Sequence, residues 1–371
     1  MTKLLHVLTD SNIGGAGHHL LALLDKENGI NRKKFDVTVA LPENAKLLPS
    51  LLAQNINCVQ LPHLAENSFS CAAVKILRRE MAEYKPDIVH THAALSGRVA
   101  AKIYGKCKIV YTRHSVFEPS GWQQRPPAKW VFGLLNNMLS HRIIAVSPAA
   151  KDNLLALGTS AKKIHVIYNG MPPSREYTTA EQAQLREKYN IPKNAFVLAQ
   201  IARLTEVKGH DDVLDAVKPL TQTLPSVLVL IAGDGEHRAH LEQRIKNENI
   251  TNVRLLGFVH EVEEILAIMD AGLSASFGTE ATSLALVQGM SVGKPAIVTD
   301  YGGNPYVISP EKNGLVTPTR KPDALRDAIV KLQSDTKLYR QMCQQAKGTY
   351  RERFTIHEMI RKTEELYNEL T

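Results

Sequence analysis

The sequence has no long apolar run. Its longest clean apolar stretch, Val227–Ala232, is far short of the ~20 residues a bilayer-spanning helix needs, which excludes a membrane span. Cysteine is sparse: Cys58, Cys71, Cys107 and Cys343 are scattered, with no CxxC and no zinc-ligand spacing. They are expected to be reduced thiols in a cytosolic protein. After Lys3 only five mostly apolar residues precede Thr9-Asp10-Ser11-Asn12, too few for the core of an export signal. No Gly-x-Ser-x-Gly elbow, Gly-x-x-x-x-Gly-Lys-[Ser/Thr] loop or His-Glu-x-x-His pair occurs, so the common signatures of serine hydrolases, P-loop nucleotidases and zinc proteases are missing. Apart from Asp211-Asp212, no paired acids have metal-binding spacing. The chemistry is expected to need neither a metal nor a resident cofactor.

What is present fits a globular protein of two domains, or three. The chain has 371 residues, 44% of them hydrophobic and 22% charged, enough apolar side chain to exclude disorder as the main state. The net charge of +8 is unevenly placed. Residues 1–170 hold 21 Lys and Arg against 11 Asp and Glu, whereas residues 171–371 hold 24 against 26. A basic first half suits an anionic partner (a membrane surface, a nucleic acid or a phosphorylated substrate) or is simply a solvated basic face.

Short β-branched runs alternate with helical patterns almost throughout. Lys3–Thr9, Asp36–Leu41, Asn57–Leu61, Asp87–Thr91, Lys108–Thr112, Arg142–Val146 and Lys163–Ile167 predict strands. Asn169-Gly170-Met171-Pro172-Pro173-Ser174 then breaks the pattern with turn residues. It restarts at Phe196–Ile201, Val227–Ala232, Val253–Leu256, Ala271–Ala275 and Pro295–Val298, with helices predicted at Asp211–Leu220, Leu241–Asn247, Val262–Met269 and Ser283–Met290. Helix-like segments Pro322–Leu332 and Lys337–Leu370 finish the chain. Strands apolar on both faces and separated by helices imply parallel sheets covered on each side. The expected fold is α/β: two doubly wound, Rossmann-like parallel-sheet domains facing across a cleft, with a hinge near residue 170.

Four places could carry chemistry. Gly14-Gly15-Ala16-Gly17 follows the first strand and opens a helix, where backbone can approach an anion. It fails as a dinucleotide fingerprint because Leu20 stands where a small residue is required. Arg203 and Lys208 lie in a strand-to-helix turn, two cations suited to a diphosphate or merely exposed ones. Glu280 precedes a helix that offers the backbone N–H groups of Ser283 and Leu284 and carries Gln288 about two turns in. That set suits a polyhydroxylated ligand, or is an ordinary helix start. His114 ends a strand of the first half, where it is either a functional or a structural imidazole.

Together these residues resemble a retaining glycosyltransferase of family 4, of GT-B architecture. The likeness runs in order along nearly the whole chain: the glycine-rich first turn, Asp87-Ile88-Val89-His90-Thr91-His92, Thr112-Arg113-His114, Asn169-Gly170, Arg203…Lys208-Gly209, Gly233-Asp234-Gly235, Leu256-Gly257-Phe258, and Gly293-Lys294-Pro295…Thr299-Asp300-Tyr301-Gly302-Gly303-Asn304-Pro305. It implies an acceptor-binding domain over 1–170, with a C-terminal helix of about 355–371 packing back onto it, and a nucleotide-sugar-binding domain over 171–354. It also implies that Arg203 and Lys208 hold the diphosphate and that Glu280, Ser283 and Leu284 meet the donor sugar and its phosphate. Gly257 and Phe258 would border the base, His114 would contact the sugar, and Gly15 would approach the phosphates. The donor is expected to be a UDP-sugar and the acceptor a glycan or lipid-linked hydroxyl. No nucleic acid is expected as a partner.

Three positions depart from that family pattern. Gln288 replaces the second acid of Glu-x7-Glu, which normally bonds the ribose; it keeps one acceptor and loses the charge. Ala281-Thr282 replaces Gly-Phe, and Tyr306 stands where Glu commonly follows Gly-Gly-Asn-Pro. These departures leave open a non-catalytic nucleotide-sugar-binding homologue or partner subunit. An epimerase of similar architecture, which relies on paired acids, is disfavoured. Pro126-Pro127-Ala128-Lys129-Trp130-Val131-Phe132 leads an apolar helix that either packs into the core or rests on an anionic membrane.

Overall fold

The computed structural model describes residues 1–64, 69–116, 121–122 and 125–371. The chain divides into two compact units, one of Met1–Met171 with Phe354–Thr371 and the other of Pro172–Arg353.

The first unit is built on seven parallel strands: β1 (Thr2–Leu8), β2 (Phe35–Pro42), β3 (Asn57–Leu61), β4 (Ile88–His92), β5 (Lys108–Arg113), β6 (Arg142–Ala145) and β7 (Ile164–Val166), in the order β3-β2-β1-β4-β5-β6-β7. All five residues of β4 are buried, as expected of a strand covered on both faces. On one face Leu5, Val7, Val89 and Ile109 pack against helices Cys71–Tyr84 and Leu95–Tyr104. On the other, Leu4, Leu8, Ile88 and Val110 pack with Ile356, Met359, Leu366 and Tyr367 of the C-terminal helix Ile356–Asn368.

That last helix is a separate element. The long apolar-periodic segment at the chain's end forms two helices, Thr336–Arg353 and Ile356–Asn368. Two contacts hold the break: from far along the chain the Met171 N–H donates to the Phe354 carbonyl at 3.0 Å, and locally Thr355 accepts from the Glu358 N–H as an N-cap.

The second unit repeats the design with six parallel strands: β8 (Phe196–Ile201), β9 (Val227–Ala232), β10 (Val253–Gly257), β11 (Ala271–Ser274), β12 (Ala296–Thr299) and β13 (Gly314–Thr317), ordered β10-β9-β8-β11-β12-β13. The six residues of β9 are all buried. In each sheet the strand order reverses once, between β1 and β4 and between β8 and β11. Ligands of open parallel sheets bind beyond the carboxyl ends of strands at such a reversal. The loops after these four strands are therefore the places to look for a site.

Candidate functional site

In the second unit the loop after β8 carries Arg203 and Lys208, and the loop after β11 carries Glu280. Lys208 Nζ donates to Glu280 Oε2 at 2.7 Å, with the two side chains only 13% and 11% exposed. Ser276 Oγ also reaches Glu280 Oε2, at 3.4 Å. The two loops are laced together by backbone, the Phe277 N–H donating to the Val207 carbonyl. Buried His210 bonds the Gln200 amide and the Arg203 carbonyl, which stiffens the β8 loop from beneath. Arg203 itself is exposed. The two cations that the sequence pairs thus have different surroundings: Lys208 is half-buried and engaged with Glu280, and Arg203 projects to solvent.

The glycines after β12 hold the Glu280 loop from its other side. Gly302 has a φ of +57°, and a Cβ there would lie 2.1 Å from the Glu280 carbonyl oxygen. A Cβ on Gly303 would lie 1.6 Å from the Ala281 carbonyl oxygen, and the Gly303 N–H donates to the Glu280 carbonyl at 3.0 Å. No side chain fits between these backbones. Ser283 caps helix Leu284–Ser291 by position alone, with no side-chain hydrogen bond to the first turn, leaving N–H groups of that turn available to an anion. Gln288 is half-buried and comes just over one turn into this helix, closer to its start than the sequence suggests. Gly257 has a φ of +72°, and Phe258 beside it is 67% exposed, with His260 edge-on at 4.8 Å between ring centroids.

In the first unit the reversal point is lined by imidazoles. His114 follows β5, and the structure surrounds it with three that the sequence alone does not single out. His92 Nδ1 lies 2.9 Å from His114 Nε2, and His6 Nδ1 lies 3.0 Å from His92 Nε2. His19, on the first helix Gly15–Leu23, packs edge-on against His114 with centroids 4.9 Å apart. Beneath them His90 sits between the Tyr367 hydroxyl, 2.5 Å away, and the Thr112 hydroxyl, 2.6 Å away. The signal was partly available: His90 and His92 are two apart on one strand and so share a face. His6 joins them only through the β1–β4 register, which pairs it with His90. A Cβ on Gly15, at the start of the first helix, would meet nothing within 4 Å.

Burial lowers every one of these rings, His6 to about 3 and His19 to about 4. His90, His92 and His114 lie well below the ordinary value, first through burial and then through neighbouring imidazoles. All five are neutral near pH 7. Neutral imidazoles are metal ligands, and two sets, His6-His90-His92 and His19-His92-His114, bring their ligand nitrogens within 4.8 Å of one another. In the second unit Asp211, His237 and His240 do the same, but Arg244 Nη1 is already 2.8 Å from the Asp211 carboxylate.

This burial has a consequence for stability. Unfolded histidine takes up a proton below pH ~6.5, and the folded rings do not. Stability is therefore full above that pH and is lost as pH falls toward the depressed folded values. At pH 5 the buried His6 ring, depressed to about 3, costs about 2 kcal/mol relative to neutral pH, and His90 and His92, lowered by burial and by neighbouring imidazoles, act in the same direction. The thermal midpoint of the first unit is expected to fall by several degrees between pH 7 and pH 5, above the main carboxylate range. A calorimetric midpoint constant across that window would contradict a buried neutral cluster.

Comparison with known proteins bears on the family and the fold. Residues 13–175 match Glycosyltransferase Family 4, and residues 181–349 match Glycosyl transferases group 1. The chain is a GT-B glycosyltransferase, related to both families. It is 28% identical over 299 residues to the N-acetyl-alpha-D-glucosaminyl L-malate synthase of Bacillus anthracis, covering 76% of this chain and 74% of that one. It is 26% identical over 355 residues to the UDP-Gal:alpha-D-GlcNAc-diphosphoundecaprenol alpha-1,3-galactosyltransferase of Escherichia coli, covering 90% and 89%. HepE of Anabaena, solved with UDP and glucose, shares the fold with a TM-score of 0.86 at 22% identity over 99% of this chain and all of that one. Among the described residues of this glycosyltransferase no helix is long and apolar enough to cross a membrane.

Proposed function

We propose that this glycosyltransferase moves a hexosyl group from a nucleotide sugar, with UDP as carrier, to a hydroxyl of a glycan or lipid-linked acceptor in cell-envelope glycan, lipopolysaccharide or glycolipid synthesis. Configuration is retained and no metal takes part. The observation that carries this reading is the Lys208–Glu280 pair at the reversal point of the second sheet, where a cation for a diphosphate and a carboxylate for sugar hydroxyls lie 2.7 Å apart. The UDP bound in HepE and the UDP-linked donor in the name of the Escherichia coli relative support the choice of carrier.

In this reading the second unit binds the donor and the first binds the acceptor. Lys208 and Arg203 neutralise the diphosphate, while Glu280 and the N–H groups of Ser283 and Leu284 meet the sugar and its phosphate. Gln288 bonds the ribose and Gly257 and Phe258 border the base. His114 meets the transferred sugar, and Gly15 lets backbone approach the phosphates. As the bond between the anomeric carbon and the diphosphate oxygen breaks, the acceptor oxygen bonds to that carbon on the same face. The acceptor's proton passes to the departing diphosphate. No strong protein base is required; what the protein supplies is cationic stabilisation of the leaving group and orientation of two substrates.

The acceptor side is a lipid surface in this reading. Helix Ala128–Leu139 turns Trp130 (68% exposed), Val131, Leu134, Leu135 and Met138 to solvent, with Arg125 and Lys129 at its start. The apolar stripe lies at helical spacing and is flanked by cations, the pattern of a segment resting on an anionic membrane.

The purified protein, given UDP-sugars and a lipid-linked hydroxyl acceptor in anionic vesicles with chelator present, is expected to transfer sugar and to keep the donor's anomeric configuration, read from the NMR coupling of the new linkage. A thermal-stabilisation screen of nucleotide sugars selects the donor beforehand. An inverted linkage removes the retaining mechanism. Stabilisation by a nucleotide sugar with no transfer to any acceptor supports a binding subunit instead.

A further inference from the structure

Gln200, on β8, and His210, which opens helix His210–Val217, are both buried, at 1% and 0% exposure. Between them they hold the two carbonyls that bound the cation loop. Gln200 Nε2 lies 2.8 Å from the Lys208 carbonyl oxygen and 3.1 Å from His210 Nδ1. His210 Nε2 lies 3.0 Å from the Arg203 carbonyl oxygen. A carbonyl only accepts, so His210 Nε2 must carry hydrogen and the Gln200 amide must turn its nitrogen toward Lys208. Burial lowers the His210 pKa, so the ring is neutral near pH 7 and its Nδ1 keeps a lone pair. That lone pair takes the second hydrogen of the Gln200 amide. Carbonyls stand at both ends, and one proton arrangement satisfies all three contacts.

The brace works against stability at one atom. Gln200 Oε1 is buried and without a partner among the described residues, and an unpaired buried acceptor is costly. An apolar side chain of similar shape would pack here without that cost. What the amide adds is the position of the loop. Arg203 is exposed, and its side chain makes no hydrogen bond or ion pair among the described residues, so its backbone sets where that cation starts. Beyond Lys208, Gly209 has a φ of +69°, and a Cβ there would lie 2.0 Å from the Ala275 carbonyl oxygen. The loop therefore leaves against fixed backbone, and the Gln200–His210 pair ties its two cation-bearing residues to each other.

We propose that Gln200 and His210 are positioning residues that act as one brace, fixing the Arg203 and Lys208 carbonyls so that both cations stand ready for the leaving diphosphate before a donor arrives. This rests on the reading that the two cations neutralise that diphosphate. Negative charge on the leaving group grows as its bond breaks, so misplaced cations lose more in the transition state than in the bound ground state. The brace should be read in kcat more than in donor KM.

The test compares kcat and donor KM of the folded full-length variants, beside NMR correlations of 15N-labelled histidine at pH 7. Wild-type His210 is expected as a single Nε2–H species. Gln200→Glu is nearly isosteric but sets a carboxylate oxygen against the Lys208 carbonyl. There His210 is expected to take a second proton on Nδ1, and kcat to fall about tenfold, the worth of one hydrogen bond, with donor KM changed less than about twofold. His210→Phe keeps a planar ring, removes both bonds and is expected to lose about as much. His210→Gln, whose amide nitrogen reaches the place of the imidazole Nε2, is expected to restore most of the turnover. Combining Gln200→Glu with His210→Phe should cost little more than either alone, because residues of one network are not additive. Wild-type kcat in folded Gln200→Glu overturns the proposal, and so do single losses that multiply in the double variant. A wild-type spectrum with His210 hydrogen on Nδ1 also overturns it and needs no variant to fold. Near-normal turnover in both Arg203→Ala and Lys208→Ala sinks the diphosphate reading instead, whatever the His210 tautomer proves to be.

Discussion

Replacing Arg203 or Lys208 with alanine is expected to cut turnover by about 10²–10³-fold, the usual loss when one preorganised stabiliser of transition-state charge is removed. The two variants should differ in everything else. Arg203 is exposed, and its side chain makes no hydrogen bond or ion pair among the described residues. Arg203→Ala should therefore leave the thermal midpoint almost unchanged. Lys208 is the partner of Glu280 in a pair whose side chains are 13% and 11% exposed. Its removal strands a largely buried carboxylate, and breaking a buried pair from one side costs about 3–5 kcal/mol. Lys208→Ala should lose both turnover and stability. Single-turnover kinetics beside calorimetry separates the two effects. Near-normal turnover in both variants would remove the proposed role of cations at the leaving group, and loss in Lys208→Ala alone would reduce Lys208 to a support for Glu280.

Much of the fold was legible because the strands are short, β-branched and apolar on both faces, so period and composition agree. Strand β13, Gly314–Thr317, was not: four residues opened by glycine and closed by threonine carry too little pattern to distinguish a strand from a loop. The C-terminal helices were merged for a different reason. The apolar period continues through Phe354 and Thr355, and the break is made by backbone from residue 171, nearly two hundred residues away. At the site, local sequence identified individual side chains but not their partners. Glu280 and Lys208 are 72 residues apart and meet because β8 and β11 are neighbours, a fact of sheet order that no spacing encodes. His6 and His92, 86 apart, meet for the same reason on β1 and β4. For Trp130 the sequence left core and surface both open, and its 68% exposure decides for the surface.

The Gly302-Gly303 turn shows how a residue with no chemistry of its own can govern the reaction. Gly303→Ala is expected to lower turnover by about 100-fold, the scale of a 1 Å misplacement of a reacting group. Its new Cβ would stand 1.6 Å from the Ala281 carbonyl oxygen, far inside contact distance, and both atoms belong to backbone or are fixed to it. No rotamer change relieves the clash. One of the two loops must move, and their freedom is unequal. Gly303 leads into Asn304, which is fully buried and donates from Nδ2 to the Thr299 hydroxyl at 3.3 Å. The Glu280 loop is therefore the part that gives way, carrying the carboxylate off Lys208. The variant should keep its secondary structure by circular dichroism and lose transfer mainly through kcat, because the Arg203 cation and the Gly257-Phe258 edge stay where they were. Unchanged kcat in a folded Gly303→Ala protein would mean that the position of Glu280 does not limit transfer, and the carboxylate would have to be given another task.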